Sequence, residues 1–242
     1  MNFEIKKVSL TLDGKSILND VSIKVCPGEI VGLMGPNGAG KTTTFNLAVG
    51  NLKPDKGDIL MNDKSITKLS LPRRARLGLG YLTQEASIFR NLTVKENIDL
   101  ALHNSFVNSA IVRNKREKII NEFNLNKVID NYGYQLSGGE RRRCEIARAL
   151  SVGRKGPKYL LLDEPFAGID PLAVNDLKKL IIKLSKSGMG ILITDHNVRE
   201  TLQITSKSYV LSQGRILANG STSELANNKI VKKFYLGDNF KL

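Results

Sequence analysis

The segment Gly35-Pro36-Asn37-Gly38-Ala39-Gly40-Lys41-Thr42 limits what this chain can fold into more than any other. It fits the pattern G-x-x-x-x-G-K-[ST]. Residues 29–34 before it read as a buried strand, and residues 42–49 after it read as a helix, which is the context such a loop requires. Glycines let backbone N–H groups turn inward around phosphate oxygens. The following helix presents its positive end to the same anion. Lys41 adds a full charge at the β- and γ-phosphates, and the Thr42 hydroxyl can ligate Mg²⁺. The eight residues, with the adjoining Thr43, are therefore candidates for nucleotide binding. By chance the pattern arises in roughly 1 of 100 chains of this length, and the strand–loop–helix setting lowers those odds.

A bound Mg–ATP needs an acidic partner at the end of a neighbouring strand. Tyr159-Leu160-Leu161-Leu162-Asp163-Glu164 supplies one. Four apolar residues bury the strand and two carboxylates emerge from it. Asp163 is placed to hold Mg²⁺, and Glu164 to orient or deprotonate an attacking water. Further on, Leu177, Leu180, Ile181 and Leu184 fall at helical spacing within 172–187, and 191–194 read as the next strand. Strand–helix–strand order argues for a mostly parallel α/β core. Residues 1–31 and 50–84 read as short strands and turns, with Asp13-Gly14 a hairpin signal and Pro27-Gly28 a second turn. Between about 93 and 150 the pattern is helical, with Thr93 as a cap, and looks like an insertion on the core.

Leu136-Ser137-Gly138-Gly139-Glu140 combines an S-x-x-E capping box with two glycines in the first helical turn. Each glycine there costs up to ~1 kcal/mol relative to Ala, so close approach of something bulky to the backbone is expected. A bare helix N-terminus with a hydroxyl suits a phosphate.

No apolar run approaches the ~18–20 residues needed to cross a bilayer, and the N-terminus has no signal-peptide pattern. Any membrane role is expected to run through a partner. Two distant cysteines, Cys26 and Cys144, suit a reducing compartment. With two histidines, His103 and His196, no His-built metal site is expected. The formal net charge of +14 fits either attraction to a polyanion or a lysine-rich surface.

The order of these segments, with Gln84, Asp170 and His196 added, resembles the ABC ATPases along essentially the whole chain. The resemblance implies an α/β P-loop NTPase (RecA-like) core with an N-terminal antiparallel β subdomain. Residues 1–242 would form one nucleotide-binding domain, with a helical subdomain inserted over about 85–150. It implies ATP hydrolysis with ATP and Mg²⁺ as ligands. Gln84 would sense Mg²⁺ and a transmembrane partner. Ser137 and Gly139, with Gly138 between them, would meet the γ-phosphate of ATP held by a second copy. Asp170 would lie at that homodimer interface, and His196 would act at the γ-phosphate. Within the family, 81–90, 137–149, 161–170, 194–201 and 235–242 are similar to lipopolysaccharide-export ATPases. That implies two transmembrane permease subunits contacting the Phe89 and Arg90 region, and a peripheral place on the cytoplasmic face of the inner membrane.

Leu12 stands where the family carries an aromatic that stacks on adenine, and Thr83 where a proline is frequent. Arg141-Arg142-Arg143 opposes the helix dipole in the first turn; an anion, a partner interface and a solvated face all stay open for it. Two other functions fit less well. An importer subunit, for branched-chain amino acids for example, shares most motifs. A nucleic-acid-associated ABC protein fits the charge but usually carries two such domains or long insertions, and no specific nucleic-acid partner is expected.

Overall fold

The computed structural model describes residues 1–106, 108–153 and 156–237. The chain opens with β1 (Phe3–Leu12) and β2 (Lys15–Val25). Asp13 and Gly14 join them with φ of 48° and 74°, the left-handed pair that a two-residue hairpin needs to match strand twist. These strands are longer than the short ones expected. Register shifts between Ile5 and Val8 and between Val8 and Leu10 interrupt the alternation, so one long strand reads as several short pieces.

β3 (Ile30–Met34) is buried along its length and runs into the glycine-rich loop, from which α1 (Lys41–Val49) departs. β4 (Lys56–Met61) and β5 (Lys64–Ser65) complete an antiparallel sheet of order β2-β1-β4-β5. Next comes α2 (Leu71–Leu77), a helix where only strands and turns were expected. After β6 (Leu79–Leu82) come α3 (Val94–His103), α4 (Ser109–Glu122) and α5 (Gly138–Leu150). β7 (Tyr159–Asp163), α6 (Pro171–Lys186), β8 (Gly190–Thr194) and α7 (Val198–Ile204) follow. β9 (Lys207–Ser212), β10 (Arg215–Gly220) and α8 (Thr222–Asn227) come next, and α9 (Lys229–Val231) runs into a π-helical turn (Lys232–Leu236). The second sheet has the order β10-β9-β3-β8-β7-β6, parallel except at β10.

The parallel sheet is covered on both faces, which explains its unbroken apolar strands. Leu160 and Leu162 pack with Ile191, Ile193, Ile146 and Ile181 on the α5–α6 side. Tyr159 and Leu161 turn to Leu192, Leu33, Phe45 and Phe3, between the two sheets. Each such burial contributes ~1.5–3 kcal/mol per side chain, so the strand ends that carry polar groups are held by core on both sides. The Thr93 cap is present, with Thr93 Oγ1 accepting from the Glu96 amide at 3.2 Å. Leu177, Leu180, Ile181 and Leu184 form the buried stripe of α6. Among the described residues no helix is long and apolar enough to cross a membrane. Residues 238–242 of the similar C-terminal stretch lie outside the described residues.

Candidate nucleotide site

The carboxyl ends of β3, β7 and β8 lie side by side, the place where open α/β sheets bind ligands. A cavity of about 500 Å³ opens there, lined by Ile17, Asn37, Gly38, Gly40, Lys41, Thr42, Thr43, Gln84, Glu164 and His196. The loop around it is packed as well as bent. A Cβ on Gly35 would stand 2.1 Å from the Leu211 carbonyl oxygen, and one on Gly40 2.7 Å from Leu18 Cδ2. Gly40 also has φ 105° and starts α1, whose first amides carry no side-chain cap. Such an end is an anion site by its dipole and its free N–H groups.

Lys41 is buried, and its Nζ donates to the carbonyl oxygens of Gly35 at 2.7 Å and Pro36 at 3.0 Å. Burial lowers its pKa, while the charges of Glu164 and Asp163 oppose that. Asp163 is fully buried, and neither carboxylate oxygen has a hydrogen-bond partner. Burial first, and then the Glu164 charge, push its carboxyl up to about 6. The Thr194 hydroxyl, paired with Asp163 across β7–β8, is also buried and unpartnered. Buried polar atoms without partners are rare, and a bound ion is one arrangement that satisfies them.

Glu164 follows at φ 51°, a left-handed conformation unusual for this residue. Its amide donates to Thr194 O at 2.8 Å. Its Oε1 lies 2.8 Å from His196 Nε2. Asp195 holds the two loops in place: its Oδ2 accepts from the Phe166 amide and its Oδ1 from the Asn197 amide, both at 2.9 Å. Sequence alone did not single out Asp195, although a carboxylate directly after a buried strand is a signal. Ile17 was also missed, and nothing local marks it.

The residues fit Mg²⁺ with a phosphate-bearing ligand. Among the described residues no group of three or more His, Cys, Asp or Glu could cage a metal. Mg²⁺ bound through one or two side chains and phosphate oxygens needs no such cage. Thr42 and Gln84 on the cavity wall and the two unpartnered Asp163 oxygens would supply that set.

The structure brings the glycine-rich loop, Gln84, Asp163, Glu164 and His196 together. Ser137, Gly138, Gly139 and Asp170 do not line this cavity. Ser137 is exposed at the start of α5, its Oγ donating to Glu140 Oε2 at 2.7 Å. The close approach expected at the two glycines comes from the chain itself. A Cβ on Gly138 would sit 2.9 Å from Gly168 O, and one on Gly139 2.7 Å from Ala173 Cβ. Asp170 caps α6, with Oδ1 accepting from the Ala173 amide at 3.0 Å.

A separate groove of about 480 Å³ runs beside Phe89, lined also by Tyr81, Leu100, Glu145 and Arg148. Phe89 is 47% exposed, with the Arg148 guanidinium 4.8 Å from its ring centre. Buried Asn97 fixes this loop, accepting from the Phe89 amide and donating to Phe89 O, Leu92 O and Thr93 O. Arg90 is exposed beside it. Arg142 is buried instead of lying on a surface.

Residues 18–167 match the family model for the ABC transporter. The chain is 50% identical to the lipopolysaccharide export system ATP-binding protein LptB of Haemophilus influenzae, over 94% of each chain. It is 49% identical to the protein of the same name from Escherichia coli K12, over 98% of each. Among solved structures it is similar to an ATP-binding cassette of an ABC transporter in its ADP conformation, at 26% identity. That match has a TM-score of 0.86 and covers 98% of this chain and 100% of the other.

Proposed function

This chain belongs to the ABC transporter family and is an ATP-hydrolysing subunit of it, and from that premise we propose that it powers lipopolysaccharide export through partner membrane subunits. The export assignment rests on identity of 49–50% to two lipopolysaccharide export system ATP-binding proteins along nearly the full length of both. The assignment of chemistry rests on one arrangement, Glu164 paired with His196 at 2.8 Å on the wall of the cavity that holds Lys41 and Thr42.

The α1 amides and Lys41 bind and orient the phosphates. Thr42, Asp163 and Gln84 would hold Mg²⁺, which when bound neutralises charge developing on the transferred phosphoryl group. Glu164 accepts a proton from the attacking water at a carboxylate oxygen. The water oxygen bonds to the γ-phosphorus and ADP leaves. His196 Nε2, which meets Glu164 Oε1 at 2.8 Å, exchanges that partner for the γ-phosphate when ATP is bound. Ser137 to Gly139 lie away from this cavity, so a second copy supplies them and the working unit is a homodimer with two shared sites. Asp170 sits at the seam between the copies. Residues about 85–150 act as one inserted helical unit carrying both Ser137 and the Phe89 groove, and two membrane subunits dock at Phe89 and Arg90. The assembly lies on the cytoplasmic face of the inner membrane.

Two measurements test this. Lys41→Ala is expected to lose ATP binding, whereas Glu164→Gln keeps binding, loses turnover and accumulates an ATP-bound dimer on gel filtration. Normal turnover by Glu164→Gln would sink the assignment of the base. Purification from membranes is expected to bring down two lipopolysaccharide-export permeases, and recovery of amino-acid importer subunits instead would refute the export reading.

A further inference from the structure

The Arg142 side chain is 6% exposed and that of its partner Glu145 0%, with the two 2.9 Å apart across one turn of α5. A buried pair is costly unless its remaining donors and acceptors are used, and here they reach three separate segments. From the end of β6, Arg142 Nη1 donates to Thr83 O at 3.2 Å and Nη2 to Gln84 O at 3.4 Å. From the end of β7, Nη2 donates to Glu164 O at 2.7 Å and Asp163 O at 3.3 Å, and Nε to Pro165 O at 3.3 Å. Glu145 Oε1 accepts from the amides of Ser87 at 2.7 Å and Ile88 at 3.1 Å, just before Phe89.

Glu164 is held at φ 51°, a conformation that persists only where the surroundings over-determine it. The shortest Arg142 contact is to the carbonyl of that same residue. A flat guanidinium can span carbonyls from two strand ends at once, whereas an ammonium presents its donors from one point. We infer that Arg142, braced by Glu145, is a positioning residue for hydrolysis. It locks the Gln84 and Glu164 peptides to each other and to the helix that begins at Ser137, so that these parts move as one body. The inference rests on Glu164 acting as base in the proposed function and adds the element that fixes its direction.

The test uses the full chain, with turnover normalised to titrated nucleotide sites so that partly unfolded preparations still decide. Two variants are compared with wild type: Arg142→Lys, which keeps the charge, and Arg142→Met/Glu145→Met, which removes both buried charges. Both are expected to bind MgATP within about threefold of wild type and to lose about tenfold or more in kcat with KM little changed, the signature of a group that orients without binding. A purely structural role predicts lower melting temperature with kcat per titrated site unchanged. A kcat within about twofold of wild type for Arg142→Lys would overturn the inference. Glu164→Gln, run beside them, tests the base separately, since its normal turnover would fault the proposed reaction and not the clamp.

Discussion

Asp163 is held at an electrostatic cost. Its carboxyl, ordinarily at 3.8, is pushed up to about 6, first by burial and then by the neighbouring Glu164 charge. The folded chain therefore holds this proton more tightly than the unfolded chain does. The group's contribution to stability is fully present below about 4 and is lost as pH rises through about 6. The gap corresponds to about 3 kcal/mol. Asp163→Asn, measured without nucleotide or metal at pH 8, is expected to raise the melting temperature by up to about 10 °C. The gain should shrink toward zero near pH 4. MgATP turnover should be lost in the same variant, because in the proposed reaction Mg²⁺ would bind the ionised carboxylate. A variant less stable than wild type at pH 8 would contradict this account. Stability given up at a buried carboxylate is common where function needs the charge.

At the scale of elements, α1 depends on a side chain that its own sequence does not announce. Arg74 of α2 is fully buried. It donates to Leu47 O and Ala48 O at the end of α1, both at 2.7 Å, and to Leu69 O and Thr67 O at 2.9 Å. Burial lowers it to about 10, so it stays charged at neutral pH. Arg74→Met leaves these carbonyls without the donor and is expected to cost about 3–5 kcal/mol, a fall of roughly 10 °C in melting temperature. MgATP affinity of the folded fraction should change little, since the lost contacts are at the far end of α1 from the phosphate loop. A melting temperature within about 2 °C of wild type would refute the capping role. The same residue shows why α2 was not legible. Leu71-Pro72-Arg73-Arg74-Ala75-Arg76-Leu77 has no apolar stripe, and Arg74 is its one buried residue; its helix is secured by bonds to α1, far away in sequence. Local signals were readable where the cause is local: the Asp13-Gly14 turn, the Thr93 and Ser137 caps, the stripe of α6, and the strand–loop–helix at 30–49. Arg142 was not readable, because its role needs β6, β7 and α5 to converge. Gly138 and Gly139 were rightly read as close-approach positions, but Gly168 and Ala173 are what approach them.

At the scale of the molecule, one chain separates the parts that the proposed reaction needs together. Lys41, Gln84, Glu164 and His196 share a cavity, while Ser137 stands exposed elsewhere at the start of α5. If a second copy closes each site, then two differently broken copies must repair each other. Lys41→Ala removes from one half-site the positive charge that meets the phosphates. Ser137→Asp breaks the other half, because aspartate still caps α5 yet sets a negative charge against an incoming phosphate. Each variant alone is expected to be inactive. In a mixed dimer, the intact loop of the Ser137→Asp copy faces the intact Ser137 of the Lys41→Ala copy, and one whole site forms. Random two-fold pairing of equal amounts makes half the dimers mixed, so turnover should recover to roughly a quarter of wild type where sites work independently. A mixture no more active than its two parents, with exchange between copies demonstrated by labelled chains, would mean that each chain completes its own site and that the Ser137 segment serves α5 alone.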